Sequence, residues 1–195
     1  MDPNKPAIEI RQKDLDKNTA AFLECFRAIR RCRKIERVVD VRYGLGGWST
    51  ALLGLKPNAK VLGFEANGDT FAKAEKPKGA KVFNCKFPPV GAERAALAAI
   101  QRFQNCDLLL ADINALTLKM PTELLRAIEA VKPRAIIMTD IACAKMHINW
   151  PHYGLEGPDL DRYFERFNEE ILPNWTHVCT ARLHFFATSA AWVKG

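Results

Sequence analysis

The stretch Arg37-Val38-Val39-Asp40-Val41-Arg42-Tyr43-Gly44-Leu45-Gly46-Gly47-Trp48-Ser49-Thr50, followed by Val61-Leu62-Gly63-Phe64-Glu65, constrains this chain more than any other. An apolar run of strand length ends in an acid and opens onto a glycine-rich turn. A helix-length segment then leads to a second apolar run that also ends in an acid. This order is the first βαβ unit of a parallel sheet. Glycines let the backbone approach a ligand closely, and an acid at the end of the second strand can accept hydrogen bonds from ribose hydroxyls.

The same alternation continues along the chain. Strands are predicted at Arg37–Arg42, Lys60–Glu65, Lys81–Phe87, Cys106–Asp112 and Arg134–Ile141. Helices are predicted at Gly47–Leu55, Asp69–Lys76, Ala92–Phe103, Pro121–Val131 and Pro158–Leu172. Strands separated by helix-length segments argue for a parallel sheet with crossover helices. Several strand runs are apolar throughout, as expected when both faces of a sheet are covered. The C-terminus departs from this plan. Trp175–Leu183 and Phe185–Val193 are strand-like and nearly contiguous, so they can pair only as an antiparallel hairpin.

Before the first strand, residues 1–15 form a polar lead-in. From Leu15 to Ile35 the positions Ala20, Phe22, Leu23, Phe26, Ile29 and Ile35 recur near helical spacing. The expectation is one domain over 1–195, with 1–35 as lead-in and basic helix. No apolar run is long enough to span a bilayer, and the first residues lack the apolar core of a signal peptide. The six cysteines are scattered with no Cys-x-x-Cys pair, which speaks against a zinc site or a disulfide framework. They read as small buried hydrophobes in a reducing, cytoplasmic compartment. The net charge of +7 owes much to Arg27, Arg30, Arg31, Arg33, Lys34 and Arg37. That cluster is either a phosphate- or nucleic-acid-binding patch or a solvated helix face.

The dinucleotide pattern Gly-x-Gly-x-x-Gly is broken here, because Gly44-Leu45-Gly46-Gly47-Trp48-Ser49 lacks the last glycine. With the terminal hairpin, this places a nicotinamide dehydrogenase last among the readings. The segment from Asp40 to Thr50 instead resembles the S-adenosylmethionine motif of class I methyltransferases, Asp-x-Gly-x-Gly-x-Gly. Phe64-Glu65-Ala66-Asn67 and Asp107-Leu108-Leu109-Leu110-Ala111-Asp112-Ile113 extend the resemblance to the FkbM family of O-methyltransferases, over about Val38 to Ile141. A weaker likeness, through Gly46-Gly47-Trp48-Ser49 and Cys106-Asp107-Leu108, is to FtsJ-type RNA 2′-O-methyltransferases. Their catalytic Lys-Asp-Lys-Glu set is matched here only at Asp112.

The resemblance implies an α/β, Rossmann-like fold: a mostly parallel seven-stranded sheet with a C-terminal antiparallel hairpin and helices on both faces. It implies S-adenosylmethionine as cofactor. Asp40, Arg42, Tyr43, Gly44, Gly46, Trp48 and Ser49 would shape its methionine and ribose pocket. Glu65, next to Ala66, would hold the ribose hydroxyls, Phe87 would flank the adenine, and Asp112 would complete the site. Asp40 is equally read as an acid that caps the amides of the turn. Arg42 stands where the motif has its first glycine. An arginine there either crowds the methionine end, points away, or pairs with a carboxylate.

Methyl transfer to oxygen needs in-line geometry and removal of a hydroxyl proton. Asp112 and Asp140 end neighbouring predicted strands. They suit either Mg²⁺ or Mn²⁺, as in catechol-type O-methyltransferases, or a metal-free site in which one Asp is a base or a helix cap. The loop after Asp140 gathers Lys145, His147, Trp150, His152 and Tyr153, a composition suited to an acceptor-binding lid with Lys145 or His147 in catalysis. The first functional reading is therefore an O-methyltransferase for a sugar or other small hydroxylated acceptor. The alternatives are an RNA 2′-O-methyltransferase and a non-catalytic fold kept as a binding module.

Overall fold

The computed structural model describes residues 19–30, 34–89, 93–111, 120–140, 167–184 and 187–195. A helix over 19–30 (α1) precedes strand β1, Arg37–Asp40. Then follow α2 (Gly47–Leu55), β2 (Lys60–Phe64), α3 (Gly68–Lys73), β3 (Ala80–Phe83), α4 (Arg94–Arg102), β4 (Leu108–Ala111), α5 (Met120–Val131) and β5 (Ala135–Asp140). Residues 167–171 are helical (α6) and lead into β6 (Trp175–His184) and β7 (Ala187–Lys194). The seven strands form one sheet in the order β3-β2-β1-β4-β5-β7-β6. β1 to β5 pair in parallel, and β7 runs antiparallel to both β5 and β6. This is the expected fold class, including the terminal hairpin.

The period-2 alternation of strand side chains divides the core into two layers. Val39, Leu62, Leu109, Ile136, Met138 and Trp192 face one layer, which α4 covers with Ala96, Ala99 and Ile100 and α5 with Leu124, Ala127 and Val131. The adjacent positions Val38, Val61, Leu108, Leu110, Ile137 and Ala191 face the other. There α1 contributes Ala21, Phe22, Cys25, Phe26 and Ile29, and α2 contributes Leu52 and Leu53. Both faces are thus buried, which is why these strands read as unbroken apolar runs.

Some boundaries differ from expectation for local reasons. The third strand stops at Phe83, and the chain leaves the sheet before Pro88-Pro89, which offer no N–H to a ladder. α3 ends at Lys73, where Ala74 turns extended and the N–H of Glu75 bonds Leu45 O instead of continuing the helix. Among the described residues no helix is long and apolar enough to cross a membrane.

Candidate functional site

The sheet order reverses direction between β1 and β4, the switch point beyond whose carboxyl ends doubly wound sheets bind their ligands. The segment from Val41 to Gly46 continues β1 at that point and is held by the strands on either side, β4 and β2. Val41 N–H donates to Leu110 O at 3.0 Å and Tyr43 N–H to Phe64 O at 3.0 Å. Gly46 N–H donates back to Tyr43 O at 2.9 Å, closing the turn that starts α2.

Glu65 sits at the end of β2 and faces this turn. Its Oε2 accepts from Gly44 N–H at 2.9 Å and its Oε1 from Asn67 N–H at 2.8 Å. A carboxylate offers about four lone-pair sites, so each oxygen keeps acceptor capacity after these two bonds. The side chain is half-buried, leaving that capacity within reach of a ligand. Gly44 has φ +56°, and a Cβ built there would meet nothing within 4 Å. The turn therefore needs glycine for its dihedral, and the space beside it is open.

Asp40, 2% exposed, ends β1 beneath the turn and accepts from the hydroxyl of Ser49 at 2.8 Å. Ser49 is fully buried on α2, so this bond ties the helix to the strand end. Ser49→Ala leaves one buried acceptor position of Asp40 unmatched. The expected result is a loss of about 1–3 kcal/mol, read as a fall of several degrees in thermal denaturation, with the fold retained.

Tyr43 is buried and wedged between Gly46 and Gly63, and its hydroxyl donates to Glu75 O at 2.6 Å. Burial, with the nearby Asp40 and Glu75 carboxylates, pushes the phenol above its ordinary range, so it stays a neutral donor. Glu75 in turn donates its N–H to Leu45 O at 2.9 Å and accepts from the Thr50 hydroxyl at 3.0 Å. Glu75 and Thr50 thus clamp the glycine turn, a role that no sequence pattern marked. Trp48 stacks on Phe22 of α1, with ring centroids 4.9 Å apart and planes 13° apart. Phe87 meets the buried Phe64 ring edge-on at 4.9 Å.

Of the expected cofactor residues, the structure brings together Asp40, Arg42, Tyr43, Gly44, Gly46, Ser49, Glu65 and Ala66 around one turn. Tyr43, Trp48 and Ser49 act there through packing and hydrogen bonds to the chain itself. Arg42 and Ala66 are exposed. Positive φ at non-glycine residues is confined, among the described residues, to Asn105 and Lys132. Arg42 therefore holds its place without backbone strain, although the motif has glycine there. Asp112, Lys145 and His147 lie outside the described residues. Asp140 ends β5, its backbone in register with Thr188. Among the described residues there is no group of three or more His, Cys, Asp or Glu that could hold a metal.

No family model matches the chain. No curated protein matches it in sequence either. Solved structures match it in fold. The plantazolicin methyltransferase BpumL, in complex with a triazolic desmethylPZN analog and SAH, is 11% identical, covers 100% of this chain and 92% of its own, and superposes with a TM-score of 0.62. A putative caffeoyl-CoA O-methyltransferase from Staphylococcus aureus is 10% identical, with coverage of 98% and 93% and a TM-score of 0.59. A putative RNA methyltransferase from Pyrococcus horikoshii is 17% identical, with coverage of 90% and 84% and a TM-score of 0.53. The fold is that of the class I methyltransferases.

Proposed function

We propose that this chain is an S-adenosylmethionine-dependent O-methyltransferase acting on a hydroxyl of a sugar or other small acceptor. The observation that carries the reading is the pairing of Glu65 with the open Gly44 turn: a carboxylate with unused acceptor capacity beside a glycine that leaves room for a ligand. Glu65 would accept from the ribose hydroxyls. The turn from Arg42 to Gly46 would border the methionine end, with Asp40 and Ser49 bracing it from below. Phe87 would lie against the adenine. The cofactor supplies a methyl group on a sulfonium centre, activated for transfer to a nucleophilic oxygen.

The acceptor's proton then has to leave during attack. In this proposal the groups for that task are Asp112, Asp140, Lys145 and His147, beyond the fourth and fifth strands. If a divalent ion takes part, Asp112 and Asp140 would hold it. The sugar acceptor rests on the FkbM-like motifs alone.

A second reading, RNA 2′-O-methylation, is favoured by the charge of +7 and by Arg27 and Arg30, which stand exposed on α1. The likeness to a putative RNA methyltransferase points the same way. It requires RNA affinity that falls steeply with salt.

The test is calorimetric titration with S-adenosylmethionine and S-adenosylhomocysteine, with Mn²⁺ and with chelator, followed by transfer of labelled methyl to sugars and to RNA. Micromolar binding and label on a hydroxyl are expected. Absence of binding under every condition would leave a non-catalytic binding module as the reading. Because Arg42 is exposed and unstrained, Arg42→Gly is expected to change the dissociation constant by less than about tenfold, or 1.4 kcal/mol. A larger gain in affinity would show that the arginine obstructs the site.

A further inference from the structure

Cys25 and Cys179 are far apart in sequence and meet on the α1 face of the sheet. Cys25, on α1, is 0% exposed, and its Sγ donates to Ser189 O of β7 at 3.3 Å. Ser189 is in register with Ala181 of β6. Cys179 lies two residues before Ala181 and shares the same core layer. The two cysteine side chains interact electrostatically with one another. Cys179 is half-buried, whereas Cys25 is sealed beneath α1.

We propose that Cys25 and Cys179 form a reversible disulfide on exposure to a hydroperoxide, covalently joining α1 to the terminal hairpin. The asymmetry of exposure sets the order of events. Cys179 is the sulfur a small oxidant can reach. Contact with Cys25 holds the Cys179 thiol below its ordinary range, whereas contact with Cys179 and burial raise Cys25. The Cys179 thiolate attacks one peroxide oxygen and the O–O bond breaks. This gives a Cys179 sulfenic acid, and the leaving oxygen takes a proton to become water or alcohol. The Cys25 sulfur then attacks the Cys179 sulfur, an S–S bond replaces the S–O bond, and the second oxygen leaves as water with the Cys25 proton. Two thiols lose two electrons, and the peroxide gains them.

The bridge has a direct line to the glycine turn. Phe22, one turn of α1 before Cys25, stacks on Trp48 of α2. Thr19 Oγ1 lies 3.6 Å from where a Cβ of Gly47 would stand. Fixing α1 to the hairpin therefore fixes one wall of the turn.

The experiment treats the full reduced chain with hydrogen peroxide, alkylates it, and maps cysteine peptides by mass spectrometry without reductant. The expected result is one linked pair, the Cys25 peptide with the Cys179 peptide, two hydrogens lighter than the free thiols. A rise of roughly 5–10 °C in Tm should accompany it and vanish with dithiothreitol. Cys179→Ser should abolish both the linked peptide and the Tm rise, with Cys25 still reduced. Cys25→Ser should leave a sulfenic acid at Cys179 that a dimedone probe traps. The proposal is overturned if both cysteines are found alkylated after peroxide. It is equally overturned if Cys179 proceeds to sulfinic acid while Cys25 remains a thiol, or if Cys179→Ser keeps the Tm rise.

Discussion

Glu65→Ala should weaken S-adenosylmethionine binding by about 100-fold or more, the largest effect expected of any single change at the site. A hydrogen bond to a charged group contributes about 1.5–3 kcal/mol, and two ribose hydroxyls would lose such an acceptor together. The change also frees the N–H groups of Gly44 and Asn67, which the two carboxylate oxygens now tie at 2.9 and 2.8 Å. Those amides lie at a partly exposed turn, where water can replace the lost partner. Stability should therefore fall by only about 1 kcal/mol while affinity collapses. Glu65→Gln separates the two jobs. It keeps one acceptor oxygen but turns an NH₂ group toward one of the backbone donors, so an intermediate loss is expected. Calorimetric titration beside thermal denaturation distinguishes the outcomes. An unchanged dissociation constant in Glu65→Ala, with a lowered Tm, would reduce Glu65 to a tether of the turn and remove the central support of the proposed function.

The parts of this molecule that were legible in the sequence are those in which local pattern and tertiary role coincide. The α2 helix spans Gly47–Leu55 as expected, because a glycine turn starts it and Lys56-Pro57 ends it. The hairpin was legible because two adjoining strand runs leave no length for a crossover. That β7 lies between β5 and β6 concerns spatial order, and no local signal encodes it. Trp48 looked like a ligand contact beside the glycines. Its stacking partner, Phe22, belongs to a helix that periodicity reveals but whose docking it does not. Glu75 was invisible for a sharper reason. Two of its three contacts use the backbone carbonyl and N–H, which any residue supplies, and the third pairs its carboxylate with a hydroxyl 25 residues away, so no local pattern marks the role. The seating of Cys25 against Ser189 of the terminal hairpin is likewise a product of the fold, and scattered cysteines gave no hint of it.

Gly63 and Gly46 look alike in sequence, but enlarging them should have different and separable consequences. Gly63, in β2, faces the Tyr43 ring. A Cβ there would overlap Cδ2 and come within 3.0 Å of Cε2 and Cγ. The ring cannot swing away freely, because its hydroxyl is held by Glu75 O at 2.6 Å. Gly63→Ala is thus an overpacking change costing about 2–3 kcal/mol, or roughly 5–10 °C in Tm. Tyr43→Ala alone should cost about 3 kcal/mol through the cavity it leaves. Together the two should cost far less than their sum, with a coupling energy of about 2 kcal/mol, because the added methyl enters the emptied space. Gly46 presents a different obstacle. A Cβ there would lie 2.8 Å from Tyr43 Cε1 but also 2.6 Å from Glu75 O, a backbone atom, at φ +88°. Truncating Tyr43 removes the first clash and leaves the second, together with the left-handed dihedral that costs a residue with a side chain about 1–2 kcal/mol. Gly46→Ala should therefore remain destabilised by about 2 kcal/mol or more in the Tyr43→Ala background. Because Gly46 N–H closes the turn onto Tyr43 O, it should also lose cofactor affinity. Urea denaturation of the three single and two double variants reads both couplings. Equal rescue of Gly63→Ala and Gly46→Ala by Tyr43→Ala would mean that the tyrosine ring alone sets the shape of the turn. Rescue of Gly63→Ala alone would assign that shape to the Glu75 backbone and the glycine dihedral.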